Sequence, residues 1–352
     1  MERWLLMAVN TEMLKLADKV VGMLIRNKEK DGLYDELSMD NWDWPTGVAL
    51  YSMYKVYKKT GDPKYLDYLV KWFEDQLRKP IPHRNVNTVC PILTMVCLYE
   101  ETGNQQYIPH IQTWADWVMQ VMPRTEYGGM QHMTIDSDNT QQLWDDTLYM
   151  TVLFLMKTGK LFRNETYMNE AKYQFLIHIK YLQDRKTGLL YHGWTFDGRH
   201  NFADALWARG NSWFTSATPE FIELCGTEDC VTRFIGNAWM EQVKELIRHQ
   251  AENGLFTTLL NDETSYYETS ASAGIAYGIL KGVRMGILAE EYLEYGKKAA
   301  YAVISQIDDT GMVNGVSYGT GMGKNLEYYR MRPIVPTAYG QGMTFMMLTE
   351  LI

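Results

Sequence analysis

Apolar residues recur at helical spacing in two segments that align with each other without gaps. The segments VALYSMYKVYKKTGDPKYLDYLVKWFEDQL and ILTMVCLYEETGNQQYIPHIQTWADWVMQVM each carry this pattern on both sides of a Thr-Gly turn. Matching residues are 42 positions apart, since 99 minus 57 and 114 minus 72 give the same value: Tyr57, Gly61, Tyr65 and Trp72 match Tyr99, Gly103, Tyr107 and Trp114. A period of this length predicts one helical hairpin per repeat.

Weaker copies of the pattern continue along the chain. DTLYMTVLFLMKTGK precedes TYMNEAKYQFLIHIKYL, and SASAGIAYGILKGVRMG precedes EYLEYGKKAAYAVISQI. Further helices are predicted at ARGNSWFTSATPEFIEL and AYGQGMTFMMLTEL, with TEMLKLADKVVGMLIRN, residues 11–27, as the closing partner helix. Six hairpins result, which can form an open solenoid or a closed ring. The last helix lacks a polar cap, and this favours closure into an all-α (α/α)6 barrel. No linker interrupts the chain, so residues 1–352 are predicted to form a single domain.

Composition and charge exclude several classes of protein. The chain is 46% hydrophobic and 22% charged, which excludes a disordered protein. A net charge of -9 argues against a nucleic-acid partner, because phosphate binding needs clustered Lys and Arg. No apolar run reaches membrane-spanning length, and the N-terminus carries polar residues too early for a signal peptide. We therefore expect a cytoplasmic enzyme that needs no membrane and exists as a monomer or a homodimer.

Metal catalysis is not expected from this sequence. The seven histidines show neither H-x-x-x-H nor H-x-x-E-H spacing. The four cysteines, Cys90, Cys97, Cys225 and Cys230, fit no metal-ligand pattern and are predicted to be reduced thiols. No metal and no cofactor are therefore predicted.

The loops between the predicted hairpins are rich in Trp, His, Asp and Arg. They include SMDNWDWPTG, RTEYGGMQHMTIDSDNTQQLWDD and YHGWTFDGRHNFADALWARGNSW. In a closed ring such loops converge over one end of the barrel, where a functional site is expected. Within LWDDTLYM, Asp145 and Asp146 stand just before a helix, a position at which Asp commonly caps the helix N-terminus. Adjacent carboxylates on a helix point apart, so we do not expect these two to cooperate.

The order of several motifs resembles that of the unsaturated rhamnogalacturonyl hydrolases, which are relatives of the unsaturated glucuronyl hydrolases. These motifs are QLWDDTLYM, LLYHGWTFDG, ALWARGNSWF, YYETSASAGIAYGI, VSYGTGMGKNLEYY and AYGQGM. The resemblance implies a six-hairpin glycosidase that hydrates the C4=C5 vinyl ether of an unsaturated uronic acid at the non-reducing end of a short oligosaccharide. The implied substrate is unsaturated galacturonyl-rhamnose, derived from pectin.

The resemblance also implies roles for individual residues. Asp146, immediately before Thr147, matches the family's catalytic carboxyl, and its aromatic surroundings predict a raised pKa suited to a general acid. His192 in YHGW matches a histidine near the uronate and the water, and the alternative for a lone histidine is a structural role. His132 in GGMQHM resembles a further loop position that contacts substrate.

Other candidates for substrate binding keep a structural alternative. Arg209 in ARGN either pairs with the substrate carboxylate or braces the loops by donating to carbonyls. Trp44 and Trp213 either stack on sugar rings or pack in the core. Asn211, in the same motif as Arg209, is also predicted to bind substrate.

One position departs from the family pattern. Where relatives commonly show Asp in D-x-x-N-P, this chain reads NTVCP and offers Asn87, which can bond a sugar hydroxyl but cannot exchange a proton. Asp43 is a possible substitute. Two other hypotheses follow: an ordinary inverting glycosidase, with Asp43 or Glu268 as a second carboxylate facing Asp146, and a sugar-binding relative that has lost its chemistry.

Overall fold

The computed structural model describes residues 2–26, 35–226 and 228–352. Asn27, the last residue of the predicted partner helix, lies outside these ranges. The α-helices are α1 (Glu2–Arg26), α2 (Trp44–Thr60), α3 (Pro63–Leu77), α4 (Val86–Thr102), α5 (Tyr107–Gln120), α6 (Leu153–Phe162), α7 (Glu165–Leu182), α8 (Ala208–Cys225), α9 (Cys230–Leu246), α10 (Thr269–Arg284), α11 (Leu293–Ile304), α12 (Leu326–Arg330) and α13 (Ala338–Leu348). The strands are β1 (Gln142–Trp144) and β2 (Gly193–Thr195).

Six of the helices in the described ranges form a closed inner ring. Helix α2 packs on α4, α4 on α6, α6 on α8, α8 on α10, α10 on α13, and α13 returns to α2. Each inner helix also packs on an outer helix: α2 on α3, α4 on α5, α6 on α7, α8 on α9, α10 on α11, and α13 on α1. The six-hairpin α/α barrel and the closing role of the N-terminal helix are therefore confirmed. One hydrophobic cluster extends over all the inner helices.

The 42-residue repeat corresponds to the first two hairpins and fixes their turns. Gly61 and Gly103 end α2 and α4 with φ of 68° and 67°, in the left-handed region that glycine adopts without steric cost. Their backbone N–H groups donate to the carbonyls of Tyr57 and Tyr99, both at 2.8 Å. The repeated tryptophans lie on α3 and α5 and are buried against the inner helices. The same glycine cap therefore ends the inner helix of both hairpins.

The third hairpin differs from the pattern that the sequence suggests. Gly159 does not form the turn but lies inside α6, where an added Cβ would come within 2.7 Å of the Met168 side chain. The helix ends four residues later at Arg163, which has φ 51°. At its other end α6 is preceded by a π-helical turn, Leu148–Val152. Such turns are frequent at functional sites, and this one begins two residues after Asp146.

A buried ionic cluster joins opposite sides of the ring below the loop-bearing end. Glu220 on α8 accepts hydrogen bonds from Tyr51 and Lys55 on α2, at 2.6 and 3.1 Å, and from Tyr277 and Lys281 on α10. Burial by itself would raise the pKa of Glu220, but the nearby ammonium groups of Lys281 and Lys55 hold it below its ordinary value. The carboxylate is therefore charged and fully partnered, as a buried charge requires.

None of the described helices is long and apolar enough to cross a membrane.

Candidate active site

A cavity of about 430 Å³ opens where the N-terminal ends of the inner helices meet the long loops. Five of the residues predicted from sequence line it: Trp44, Asn87, His132, Asp146 and Arg209. The other lining residues come from the same helix ends, from the loops around residues 134–139 and 318–321, and from Glu36, Trp144 of β1 and Met150 of the π-helical turn. The expectation that the loops converge over one end of the barrel therefore agrees with the geometry.

Strand pairing explains why two distant motifs meet at this cavity. Strands β1 and β2 are antiparallel, with Leu143 opposite Trp194 and Trp144 opposite Gly193. The ladder continues by one residue, because the Asp145 N–H donates to the His192 carbonyl at 3.1 Å. This register places the carboxyl groups of LWDD beside the imidazole of YHGW.

Asp146 and His192 form the centre of the site. His192 Nε2 lies 3.3 Å from Asp146 Oδ2, while His192 Nδ1 lies 2.7 Å from the Tyr329 hydroxyl. The Tyr329 oxygen already accepts a hydrogen bond from the Gly323 N–H, so its own proton is available for Nδ1. With Tyr329 donating to Nδ1, the imidazole carries its one N–H on Nε2, on the side of Asp146. His192 is 1% exposed and stands behind Asp146, which faces the cavity.

The environment of Asp146 lowers its pKa, contrary to our expectation of a raised one. Burial by itself favours the neutral acid, but the hydrogen bond and charge of His192 and the neighbouring His132 favour the carboxylate more strongly. The aromatic flank does desolvate Asp146, yet the sequence could not show that an imidazole faces it. The prediction of a raised pKa on Asp146 was therefore wrong.

The raised pKa belongs instead to Asp145, for which we expected no partnership with Asp146. The Asp145 side chain is fully buried, and burial followed by the charge of Asp146 raises its pKa well above the ordinary value. Asp145 precedes the helix and continues the β1 strand, so the two carboxyl groups do not diverge as they would on one helix. Their oxygens and the His192 imidazole lie within 4.8 Å of one another.

These three side chains also form the group of potential cation ligands found among the described residues. Carboxylate oxygens and imidazole nitrogens suit several divalent metals. A shared proton satisfies the same two carboxyl groups, so the donor set by itself does not imply a metal.

His132 is held in place as a neutral imidazole on the same cavity wall as Asp146. Its Nδ1 lies 2.8 Å from the Thr147 hydroxyl, and its ring stacks on Trp144 with centroids 4.2 Å apart. Burial lowers the pKa of His132 to about 4, even though the Asp146 charge acts in the opposite direction. At neutral pH this residue therefore adds a polar edge to the cavity without a charge.

Arg209 braces a loop of the cavity wall. Its Nη1 donates to the Ser317 carbonyl at 2.8 Å and to the Ser317 hydroxyl, and its Nη2 donates to Tyr318 and Thr320 at 3.0 and 2.7 Å. The guanidinium is sandwiched between Trp207 and Tyr339. Of the two roles left open by the sequence, the structure shows the bracing contacts, and Nε remains the nitrogen without a partner.

Two predicted substrate-binding residues do not reach the cavity. Asn211 is fully buried and bonds the backbone of Leu190 in both directions at 2.8 Å, which fixes the loop before β2 to α8. Trp213 is also fully buried, and its ring packs on Tyr149 and on the edge of Trp44. Both predictions are therefore corrected to structural roles. Trp44 itself lines the cavity.

Of the two candidates for a second carboxylate, one lines the cavity and the other does not. Asp43 lines the cavity, and burial raises its pKa. Glu268 does not line it: this side chain is fully buried, caps α10 through the Ala271 N–H and accepts from Ser270. Asn87 lies in the first turn of α4 and faces the cavity.

Comparisons with known proteins agree with this architecture. The sequence matches Glycosyl Hydrolase Family 88 over residues 16–352. It is 31% identical over 314 residues to the unsaturated rhamnogalacturonyl hydrolase YesR of Bacillus subtilis, which covers 88% of this chain and 90% of that protein. A crystal structure of a possible member of the GH105 family from Salmonella enterica has a TM-score of 0.94 at 43% identity, over 97% of this chain and 93% of that chain. A family 105 glycoside hydrolase of C. acetobutylicum has a TM-score of 0.84 at 25% identity, over 95% and 98% of the two chains. The chain therefore belongs to Glycosyl Hydrolase Family 88, a family of glycoside hydrolases.

Proposed function

We propose that this enzyme releases an unsaturated uronic acid from the non-reducing end of short, lyase-generated oligosaccharides. The observation that carries the proposal is the position of Asp146, a carboxyl group at the cavity wall with His192 behind it and no equally placed carboxylate from Glu268. A vinyl ether needs one group that gives a proton and then accepts one from water. Asp146 is placed for both tasks.

The cavity is suited to an anionic sugar despite the net charge of -9. The N-terminal turns of α2, α4, α8 and α13 contribute Trp44, Asn87, Arg209 and Tyr339 to its wall. Helix N-termini carry partial positive charge and unpaired N–H groups, which favour a carboxylate ligand. Trp44 offers an aromatic face for a sugar ring.

In the proposed reaction, the Asp146 carboxyl donates its proton to C4 while the double-bond electrons form the new C–H bond. Water then adds to C5 and gives a proton back to the carboxylate. The resulting hemiketal collapses, the ring opens, and the neighbouring sugar leaves as an alcohol. His192 holds Asp146 in position through the close Nε2 contact.

Unsaturated galacturonyl-rhamnose is the substrate that we propose, by analogy with the named activity of the Bacillus subtilis relative. We further propose that the enzyme works in the cytoplasm on imported oligosaccharides. Its four cysteines are free, which suits a reducing compartment.

The test is a panel of unsaturated disaccharides whose conjugated enol ether absorbs in the ultraviolet. The panel contains galacturonyl-rhamnose and glucuronyl disaccharides, and the loss of absorbance is followed with the native enzyme, with Asp146→Asn and with Asp67→Asn. Asp67 is an exposed carboxylate on outer helix α3 and serves as the matched control. We expect Asp146→Asn to lower kcat by about 10² to 10⁴, the usual contribution of a general acid–base group.

Other outcomes would point elsewhere. Binding of every disaccharide without loss of absorbance would contradict the proposal and favour a sugar-binding relative. An ordinary inverting glycosidase has one supporting observation, the presence of Asp43 on the same cavity wall. Hydrolysis of the saturated disaccharide at a rate similar to that of the unsaturated one would favour that mechanism.

A further inference from the structure

Asp145 is a buried acid whose partners are unusual. Its side chain is fully buried, and no side-chain hydroxyl or N–H among the described residues donates to either oxygen at normal hydrogen-bond geometry. The backbone N–H groups of Asp145 and Asp146 lie nearby and lower its pKa, but by less than burial and the Asp146 charge raise it. One side of the carboxyl rests on the backbone of Gly210, where an added Cβ would come within 2.2 Å of Oδ2. The other polar group beside it is the carboxyl of Asp146.

Two adjacent ionised carboxylates are unfavourable in a buried site when one of them has no side-chain donor. An ionised carboxylate that receives no hydrogen bond loses its hydration without compensation. Like charges at this separation also repel, so that one of two such groups retains its proton. Because His192 faces Asp146, the negative charge is better placed on Asp146 and the proton on Asp145.

We propose that Asp145 and Asp146 share one proton, and that Asp145 is a positioning residue that supplies the acid proton to the substrate through Asp146. The second half of this proposal rests on the proposed hydrolysis of unsaturated uronides, whereas the first half does not. Asp145 itself does not line the cavity and cannot touch the sugar.

The shared proton completes the reaction without any further donor. Before the reaction Asp145 is a carboxylic acid and Asp146 a carboxylate. The proton passes to Asp146, whose O–H bond then breaks as the C4–H bond forms. The pair now carries two carboxylates, and this state favours proton abstraction from the water that adds to C5. Asp146 takes that proton, and the pair again holds one proton after each turnover.

The groups around the pair explain why Asp146 needs this support. The contact with His192 favours the carboxylate form of Asp146, so Asp146 by itself holds a proton only weakly at neutral pH. Tyr329 also faces the pair, but it stays protonated because burial raises its pKa. A protonated Asp145 therefore places a carboxylic acid proton beside Asp146.

The first arm of the test uses infrared spectroscopy of the whole enzyme and needs no substrate. A protonated buried carboxyl has a C=O stretching band that carboxylates lack, and labelling with ¹³C-Asp shifts it. We expect such a band at neutral pH in the native enzyme and its loss in Asp145→Asn. Absence of the band from the native enzyme would overturn the proposal. A band that appears only after chelation would also overturn it, because a cation would then bridge the carboxyl groups.

The second arm is the pH profile of kcat and KM on an unsaturated disaccharide. In Asp145→Asn the amide donates a hydrogen bond to Asp146 but has no proton to pass on. We expect kcat to fall about tenfold for each pH unit above the pKa of Asp146, with the basic limb moved to lower pH and KM nearly unchanged. Asp67→Asn should keep the native profile. A merely structural role would lower stability without moving the limb, and an unchanged limb would refute the relay. If no disaccharide is turned over by the native enzyme, the infrared arm still tests the shared proton.

Discussion

Replacement of Gly210 by Ala tests the packing that holds Asp145 against Asp146. Gly210 lies in α8 with helical neighbours, so the backbone accepts alanine. The three atoms nearest to the added Cβ all belong to Asp145: Oδ2 at 2.2 Å and Cγ and Oδ1 at 2.9 Å each. Real Cβ atoms do not approach other atoms so closely, and the Asp145 carboxyl must therefore move.

The size of the effect follows from two opposing contributions. Alanine in place of glycine inside a helix stabilises by about 0.5–1 kcal/mol. Overpacking of a buried site costs about 1–3 kcal/mol. In the native background we therefore expect Gly210→Ala to lower the free energy of unfolding by up to about 2.5 kcal/mol. In the Asp145→Ala background the clash is absent, and the same substitution should stabilise by about 0.5–1 kcal/mol.

Urea denaturation of the four proteins in this double-mutant cycle measures the coupling energy, expected at about 1–3 kcal/mol. Gly236→Ala on α9 is the matched control, because its added Cβ would meet Ile222 at 3.6 Å, an ordinary contact. It should stabilise both backgrounds equally. If Gly210→Ala has the same effect in both backgrounds, within about 0.5 kcal/mol, the packing of Asp145 on Gly210 is refuted.

Three further predictions concern other parts of the molecule. Tyr329→Phe removes the partner of His192 Nδ1, and we expect a loss of about 1–3 kcal/mol in stability, seen in urea denaturation, together with a lower kcat. Glu220→Ala leaves Lys55 and Lys281 with the more exposed Glu223 as their remaining carboxylate and should cost up to about 3–5 kcal/mol, measured in the same way, while KM of the folded enzyme stays constant. His178 is buried, and burial lowers its pKa to about 4 from an ordinary 6.5. The unfolded chain therefore binds an extra proton between these values, and stability falls as the pH falls from 6.5 towards 4 by up to about 3 kcal/mol for this group. His178→Gln should flatten that part of the stability profile, and an unchanged slope would contradict the assignment.

The fold was predictable because the sequence signals of each hairpin, its helical periodicity and its turn residues, lie within that hairpin. Positions 42 apart carry the same turn chemistry, and Gly61 and Gly103 end two inner helices with the same left-handed cap. Helical periodicity then counts the hairpins. The sequence prediction misplaced the turn of the third hairpin. Gly159 allows close packing of α6 there and does not reverse the chain.

Part of the site was predictable because family motifs fall at helix ends and in the loops over the barrel. Arg209 and Trp213 are one helical turn apart and share a face, which suggested that both reach the substrate. The cavity, however, ends at the first turn of α8, and the helix is buried on every side below it. Trp213 is therefore a residue of the hydrophobic core. The pairing of Asp145 with His192 depends on a strand ladder between residues almost fifty positions apart, which no local pattern indicates.

The uncharged side chain of Asn87 has a consequence for substrate binding. The family resemblance led us to expect Asp at this position, on the cavity wall at the N-terminus of α4. A carboxylate there would face the substrate and repel the uronate, although it would also help to keep Asp146 protonated. Asp145 can perform the second task from behind Asp146, because it is buried and does not line the cavity. The positive ends of α4 and α8 then act on the uronate without an opposing charge from α4 itself, while the other acidic side chains of the wall, Glu36, Asp43 and Asp136, come from other segments. In the proposed relay, Asp146 contacts the reacting atoms and Asp145 behind it is the source of protons.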